Sequence, residues 1–135
     1  MANVLIDSDL LIDYVRGIPA TVAHIQQLQA SGEILCTCDV VIAEVESGLS
    51  SAQSPAAQVL VDELVLLERN ASAARQAGRW RYDYARKGIA LSTTDTLIAA
   101  TALAHAAAIL TRNVRHYPMP ELSILRGPTN PPLRR

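Results

Sequence analysis

A chain of 135 residues, half of them apolar, is long enough for one domain with a buried core and is too apolar for an intrinsically disordered protein. Its net charge of −1 excludes the strongly basic class of nucleic-acid binders. The charge is nevertheless uneven: residues 1–67 hold one basic residue against nine acidic, a net −8, while residues 68–135 hold eleven against four, a net +7.

Residues 3–6 are a short apolar run ending at Asp7, which predicts a buried strand. Leu10, Leu11, Tyr14 and Val15 then recur at helical spacing. A second helix is predicted over 21–30, with Val22, Ile25 and Leu28 inward, and Ser31-Gly32 stops it. Residues 33–37 predict a second strand. Asp39 is a candidate N-cap for a helix over 40–49, and 50–55 is a polar connector to a helix over 56–64. Residues 65–67 suit a short third strand. Asn70 is placed to cap a long helix reaching Lys87, with Gly88 as its stop. An extended link, 89–91, leads to Ser92 and an alanine-rich helix over 93–107. Residues 108–111 predict a fourth strand and 122–125 a fifth. Residues 127–135 carry three prolines and no apolar period, so a flexible tail is expected after a domain covering 1–126.

Strands alternating with helices imply a parallel sheet covered on both faces, with its site at the carboxyl ends of the strands. The N-terminus lacks the basic region and apolar run of a signal peptide. The longest apolar stretch, 96–110, is broken by Thr101 and His105 and is too short for a bilayer, so a cytoplasmic protein with no membrane segment is expected. Cys36 and Cys38, the only cysteines, have no second pair with which to form a zinc site and read as reduced, packed thiols.

Three segments carry candidate chemistry. The first is Asp7-Ser8-Asp9 with Asp13 four residues on. Clustered carboxylates repel, and a hard divalent cation with oxygen ligands relieves that repulsion. Asp7, at a strand end, is the favoured site residue. Asp9 is alternatively the N-cap of the first helix, and Asp13 reads as part of a solvated face. The second is Glu44-Val45-Glu46, whose two carboxylates point about 200° apart on a helix, so at most one faces a given cleft and periodicity does not choose between them. The third is Ser92-x-x-Asp95, which has the spacing of a capping box; Asp95 could serve the helix, the site or both. The three histidines, His24, His105 and His116, show no ligand pairing or catalytic constellation in the sequence, and Trp80 reads as core or dimer packing.

The order of these segments, from the strand with Asp7-Ser8-Asp9, through Ile42-Ala43-Glu44 with Gly48, to Asp95-Thr96-Leu97-Ile98-Ala99-Ala100 and Leu110-Thr111-Arg112-Asn113, closely resembles the PIN-domain family. Within it, the chain is similar to the VapC toxins of toxin–antitoxin pairs, over about Val4 to Leu125. The resemblance implies a three-layer α/β/α domain whose central parallel sheet has about four to five strands. It also implies an acidic site for Mg²⁺, with Mn²⁺ able to substitute, in which Asp7, Glu44 and Asp95 match the family's three acidic residues. Asn113 stands where a fourth acid is frequent and is counted with the catalytic residues, able to hold a water or a metal through its carbonyl; Asp9 stands where many relatives carry Asn, and its extra charge would compensate in support of water or metal. Ser8 and Thr111 are placed to hydrogen-bond water at the metal. The implied activity is metal-assisted hydrolysis of RNA, with a VapB-like antitoxin as partner and a homodimer as assembly. Arg79, Arg86 and Lys87 of the basic helix and Arg112 are candidate RNA contacts, with a solvated face or an antitoxin contact as the alternatives. Two other readings compete: a catalytically weak module that binds RNA or antitoxin, and a haloacid-dehalogenase-like phosphatase using Asp7 and Asp9, which wants a lysine that only Lys87 could provide.

Overall fold

A computed structural model gives the fold of residues 2–129. Five strands form one parallel sheet: β1 (Asn3–Ile6), β2 (Ile34–Thr37), β3 (Val65–Leu66), β4 (Ala108–Thr111) and β5 (Ile124–Arg126), in the order β3-β2-β1-β4-β5. Six helices cover it: α1 (Ser8–Val15), α2 (Pro19–Ala30), α3 (Asp39–Gly48), α4 (Ser54–Asp62), α5 (Ala71–Arg86) and α6 (Thr93–Ala104). The expected three-layer α/β/α architecture is therefore present, with five strands. α1 packs on α2, α3 and α4, while α5 packs on α6, the grouping that right-handed crossovers on either side of β1 require.

The central strands are apolar except at their ends because both of their faces are covered: Val4, Leu5, Ile6, Ile109 and Leu110 are all buried. α5 buries only the stripe Ala73, Ala77 and Trp80, at i, i+4 and i+7, so its arginines stay outside. The Trp80 indole N–H donates to Glu121 Oε2 at 3.2 Å, which places this residue in the core. At Gly48 α3 passes close to α1: a Cβ there would lie 2.6 Å from Ile12 Cδ1, and the tip of that side chain would have to shift. Cys36 and Cys38 are buried and free.

Several boundaries differ from the sequence expectation. Asp7, not Asp9, occupies the N-cap of α1. Cys38, not Asp39, is the N-cap residue of α3, and Asp39 is its first helical residue. α2 and α4 each begin two residues early, with proline in the first turn, where its missing N–H costs nothing. Asn70 caps α5 by accepting from Ala73 N, and Gly88 takes the left-handed conformation, φ +80°, just after the helix. α6 stops at Ala104, three residues before its predicted end, because Ala106 turns to φ 51° and the chain needs that turn to enter β4. β5 starts two residues later than expected and ends one residue later. Of the expected tail, Gly127 is buried and donates its N–H to Thr111 O at 2.8 Å; residues 130–135 lie outside the described residues.

Candidate active site

The sheet order reverses direction between β1 and β4, since the chain leaves β1 toward β2 and returns on the far side to form β4. A crevice opens at the carboxyl ends of two strands at such a point. Asp7 follows β1 directly, and Thr111 ends β4 with Arg112 and Asn113 beyond it.

Asp7 is buried and held by three donors. Its Oδ1 accepts from Ser8 N at 2.9 Å, and its Oδ2 accepts from Thr111 Oγ1 at 2.8 Å and from the Tyr117 hydroxyl at 3.2 Å. Thr111 Oγ1 in turn accepts from Asn113 N at 2.9 Å, so one hydroxyl fixes both the carboxylate and the turn after β4. Burial pushes the Asp7 pKa above the ordinary carboxylate value; the hydrogen bonds from Thr111, Ser8 and Tyr117 oppose that rise, and the nearby Asp9 charge adds to it. The Tyr117 hydroxyl is pushed far up, first by burial and then by the Asp7 and Asp95 charges. It therefore keeps its proton and donates a hydrogen bond to Asp7.

Asp7, Ser8, Asp9, Glu44, Asp95, Asn113 and His116 line one pocket of about 100 Å³. Three separate regions of the chain supply its carboxylates: the β1–α1 junction, the middle of α3 and the first turn of α6. Glu44 is half-buried there. Its pKa is raised, first by burial and then by the Asp7, Asp95 and Asp9 charges, against a hydrogen bond with the Ser8 side chain. Glu46 points away: it is exposed, and both its carboxylate oxygens accept from Ser54 Oγ, at 2.8 and 2.9 Å. The choice between the two acids that periodicity left open is thus made by geometry. The capping box at α6 is half-formed. Ser92 Oγ accepts from Asp95 N at 3.0 Å, while the Asp95 carboxylate faces the pocket with His116 Nδ1 3.4 Å from its Oδ2. Asn113 Nδ2 donates to Asp9 Oδ2 at 2.9 Å.

Other expectations need correction. Thr111 is fully buried and absent from the pocket wall; it holds a carboxylate and does not face water. Asp13 is buried, not solvated, and forms an ion pair with Arg112, whose side chain is only 16% exposed. Arg112 therefore braces the end of β4 against α1 instead of standing free for a phosphate. Arg79, Arg86 and Lys87 lie on or just beyond α5 and do not line the pocket. Arg79 and Arg86 stack over the Tyr82 ring, at 4.8 and 4.3 Å from its centre, and Lys87 lies over Tyr84 at 5.1 Å. With Lys87 there, the phosphatase alternative lacks its lysine at the carboxylates. His105 is structural, its Nε2 2.7 Å from Glu68 O. His116 and Tyr117 also reach the site, although nothing in their spacing shows it: a 3₁₀ turn, Val114–His116, returns them to Asp95 and Asp7.

The pocket collects four carboxylates, and no lysine or arginine lines it. Among the described residues, no three acidic, histidine or cysteine side chains are drawn closely enough to hold an ion as they stand. A magnesium ion does not ask for that: it keeps several of its waters and is bound through one or two carboxylates plus substrate phosphate. The hard oxygen donors, the unbalanced charge and the raised pKa values of Asp7 and Glu44 fit such a cation.

The family model for the PIN domain matches residues 4–122. Ribonuclease VapC19 of Mycobacterium tuberculosis is 33% identical over 115 residues, covering 85% of this chain and 92% of the relative. Ribonuclease VapC10 of the same species is 30% identical over 116 residues, covering 86% of each. Among solved structures, VapBC2 from Rickettsia felis, bound to a DNA fragment from its promoter, superposes with a TM-score of 0.80 at 19% identity, covering 92% of this chain and 98% of that one. DNA-bound VapBC from Salmonella typhimurium gives 0.78 at 23% identity, covering 93% and 98%. These two likenesses show the fold.

Proposed function

Because the chain belongs to the PIN-domain family, with VapC ribonucleases among its relatives, we propose that it is a Mg²⁺-dependent endoribonuclease, the toxin of a type II toxin–antitoxin pair. The observation that carries this reading is the meeting of Asp7, Asp9, Glu44 and Asp95 in one pocket at the switch point of the sheet. Asp7, Glu44 and Asp95 are the residues that would hold the cation, Mg²⁺ or Mn²⁺. When bound, the ion supplies positive charge against the phosphodiester being cut.

The rest of the work falls to the chain. Ser8, Thr111 and Tyr117 keep Asp7 in one orientation, so that no reorganisation is needed when charge develops. The pocket's carboxylates would position the ion, and one of them would accept the proton of the attacking water. Asn113 holds Asp9 at the rim, and adds an amide where a further carboxylate would add charge. The solved VapBC complexes that share this fold support a VapB-like antitoxin as the partner. A homodimer, a cytoplasmic location and restraint of translation or growth complete the proposal. No helix among the described residues is long and apolar enough to cross a membrane. The test is whether antitoxin-free protein cuts RNA with Mg²⁺ present and stops in EDTA.

A further inference from the structure

Beside the carboxylate pocket lies a second cavity of opposite character. It encloses about 330 Å³ and is lined by Arg112, Asn113, Val114, Arg115, His116 and Arg126. Asn113 and His116 belong to both walls, so the two spaces adjoin. Two strand ends build this one. The turn after β4 supplies Arg112 and Arg115. β5 supplies Arg126, the ladder partner of Thr111, which grips Asp7. The cavity is thus fixed to the same framework as the carboxylates. Arg112 is engaged by Asp13, but Arg115 and Arg126 are exposed, and among the described residues neither pairs with a carboxylate.

We propose that this cavity is a phosphate subsite of the nuclease, in which Arg115 and Arg126 grip a phosphodiester flanking the one that is cut. The assignment rests on the ribonuclease reading and deepens it. Guanidinium groups present planar forks of N–H donors that match phosphate oxygens. An acidic pocket repels the backbone it must cut, and a fixed basic pocket next to it offsets that repulsion and sets the register of the strand. Val114 is the only apolar residue in the wall, which suits a charged ligand better than a base or an apolar side chain.

The test uses an oligoribonucleotide that the protein cuts at one mapped bond. KM and kcat are compared for wild type and the Arg115→Ala/Arg126→Ala variant, over a salt series and with uncharged methylphosphonates placed singly at the flanking positions. The subsite predicts a KM about tenfold higher in the variant with kcat changed little. It also predicts a salt slope smaller by about 0.7, the value for one lost single-strand phosphate contact. One methylphosphonate should raise the wild-type KM and leave the variant indifferent, and the Arg115→Lys/Arg126→Lys variant should recover part of the loss. An unchanged KM and salt slope, or penalties from protein and substrate changes that simply add, overturns the subsite and leaves the cavity to an acidic protein segment. Failure of the ribonuclease reading looks different: wild type cuts no RNA. The subsite is then decided by anisotropy with a labelled single-stranded oligoribonucleotide of mixed sequence, for which an equal affinity of wild type and variant overturns it.

Discussion

The Thr111 hydroxyl donates to Asp7 Oδ2 at 2.8 Å and joins two residues 104 positions apart at the ends of neighbouring strands. Thr111→Val keeps the shape and removes both this bond and the acceptor for Asn113 N–H. Loss of such an outer hydrogen bond commonly costs 10- to 100-fold in metal affinity or activity. A fall of about tenfold in RNA cleavage is expected, partly restored by excess Mg²⁺, together with a stability loss of about 1 kcal/mol from the buried N–H. Tyr117→Phe should weaken the same carboxylate in the same direction by a smaller amount. Cleavage rates measured across a Mg²⁺ titration check both.

Asp7 is held against its own electrostatics, and Asp7→Asn should show it. Burial raises the Asp7 pKa, so folding favours the neutral form. The stability contributed by this group is full below the ordinary carboxylate pKa and is lost as pH rises through the raised value. In EDTA at pH 7.5 the variant should therefore melt higher than wild type, and the gap should narrow as pH falls through the raised value. Mg²⁺ should then stabilise wild type more than the variant. Thermal melts at two pH values, with and without metal, measure this. A variant less stable than wild type at pH 7.5 would contradict it.

Glu44 and Glu46, two residues apart, should behave oppositely. Glu44→Gln removes a pocket carboxylate and should reduce cleavage by about 100-fold or more, on the order of a lost electrostatic group in a catalytic site. Glu46→Gln changes an exposed residue bonded to Ser54 and should leave the rate within about twofold. Parallel RNA cleavage rates decide.

The Asp13–Arg112 pair is a buried brace, and its effects should appear in stability. Arg112→Ala leaves Asp13 buried without its partner and should cost about 3 kcal/mol. Denaturant unfolding reads that loss directly. A variant of wild-type stability with a raised KM for RNA would instead return Arg112 to the role of a phosphate contact.

The sequence announces what local chemistry controls. Asn70 and Gly88 mark the ends of α5 because a side-chain acceptor and a residue free to take positive φ are local requirements. β1 and β4 are legible because strands covered on both faces carry short runs of consecutive apolar residues, Val4–Ile6 and Ala108–Leu110. Asp7 is legible because a carboxylate at the end of such a strand has few bland explanations. What depends on the third dimension is hidden. Asp13 looks like one more helix-face acid until α1 is laid against the end of β4, where Arg112 waits for it. His116 and Tyr117 look like loop residues until the 3₁₀ turn sends one to Asp95 and the other to Asp7. The early end of α6 was hidden by its own composition, since alanines at 104, 106, 107 and 108 favour helix and only the tertiary need for a turn at Ala106 overrides them.

The most direct measurement is cleavage of total RNA by purified, antitoxin-free protein, wild type beside Asp7→Asn, in Mg²⁺ and in EDTA. Discrete cuts by wild type in Mg²⁺, absent in EDTA and absent for Asp7→Asn in either, are the predicted result. Cutting that persists in EDTA, or that survives in Asp7→Asn, would contradict a site built to hold a metal ion around Asp7.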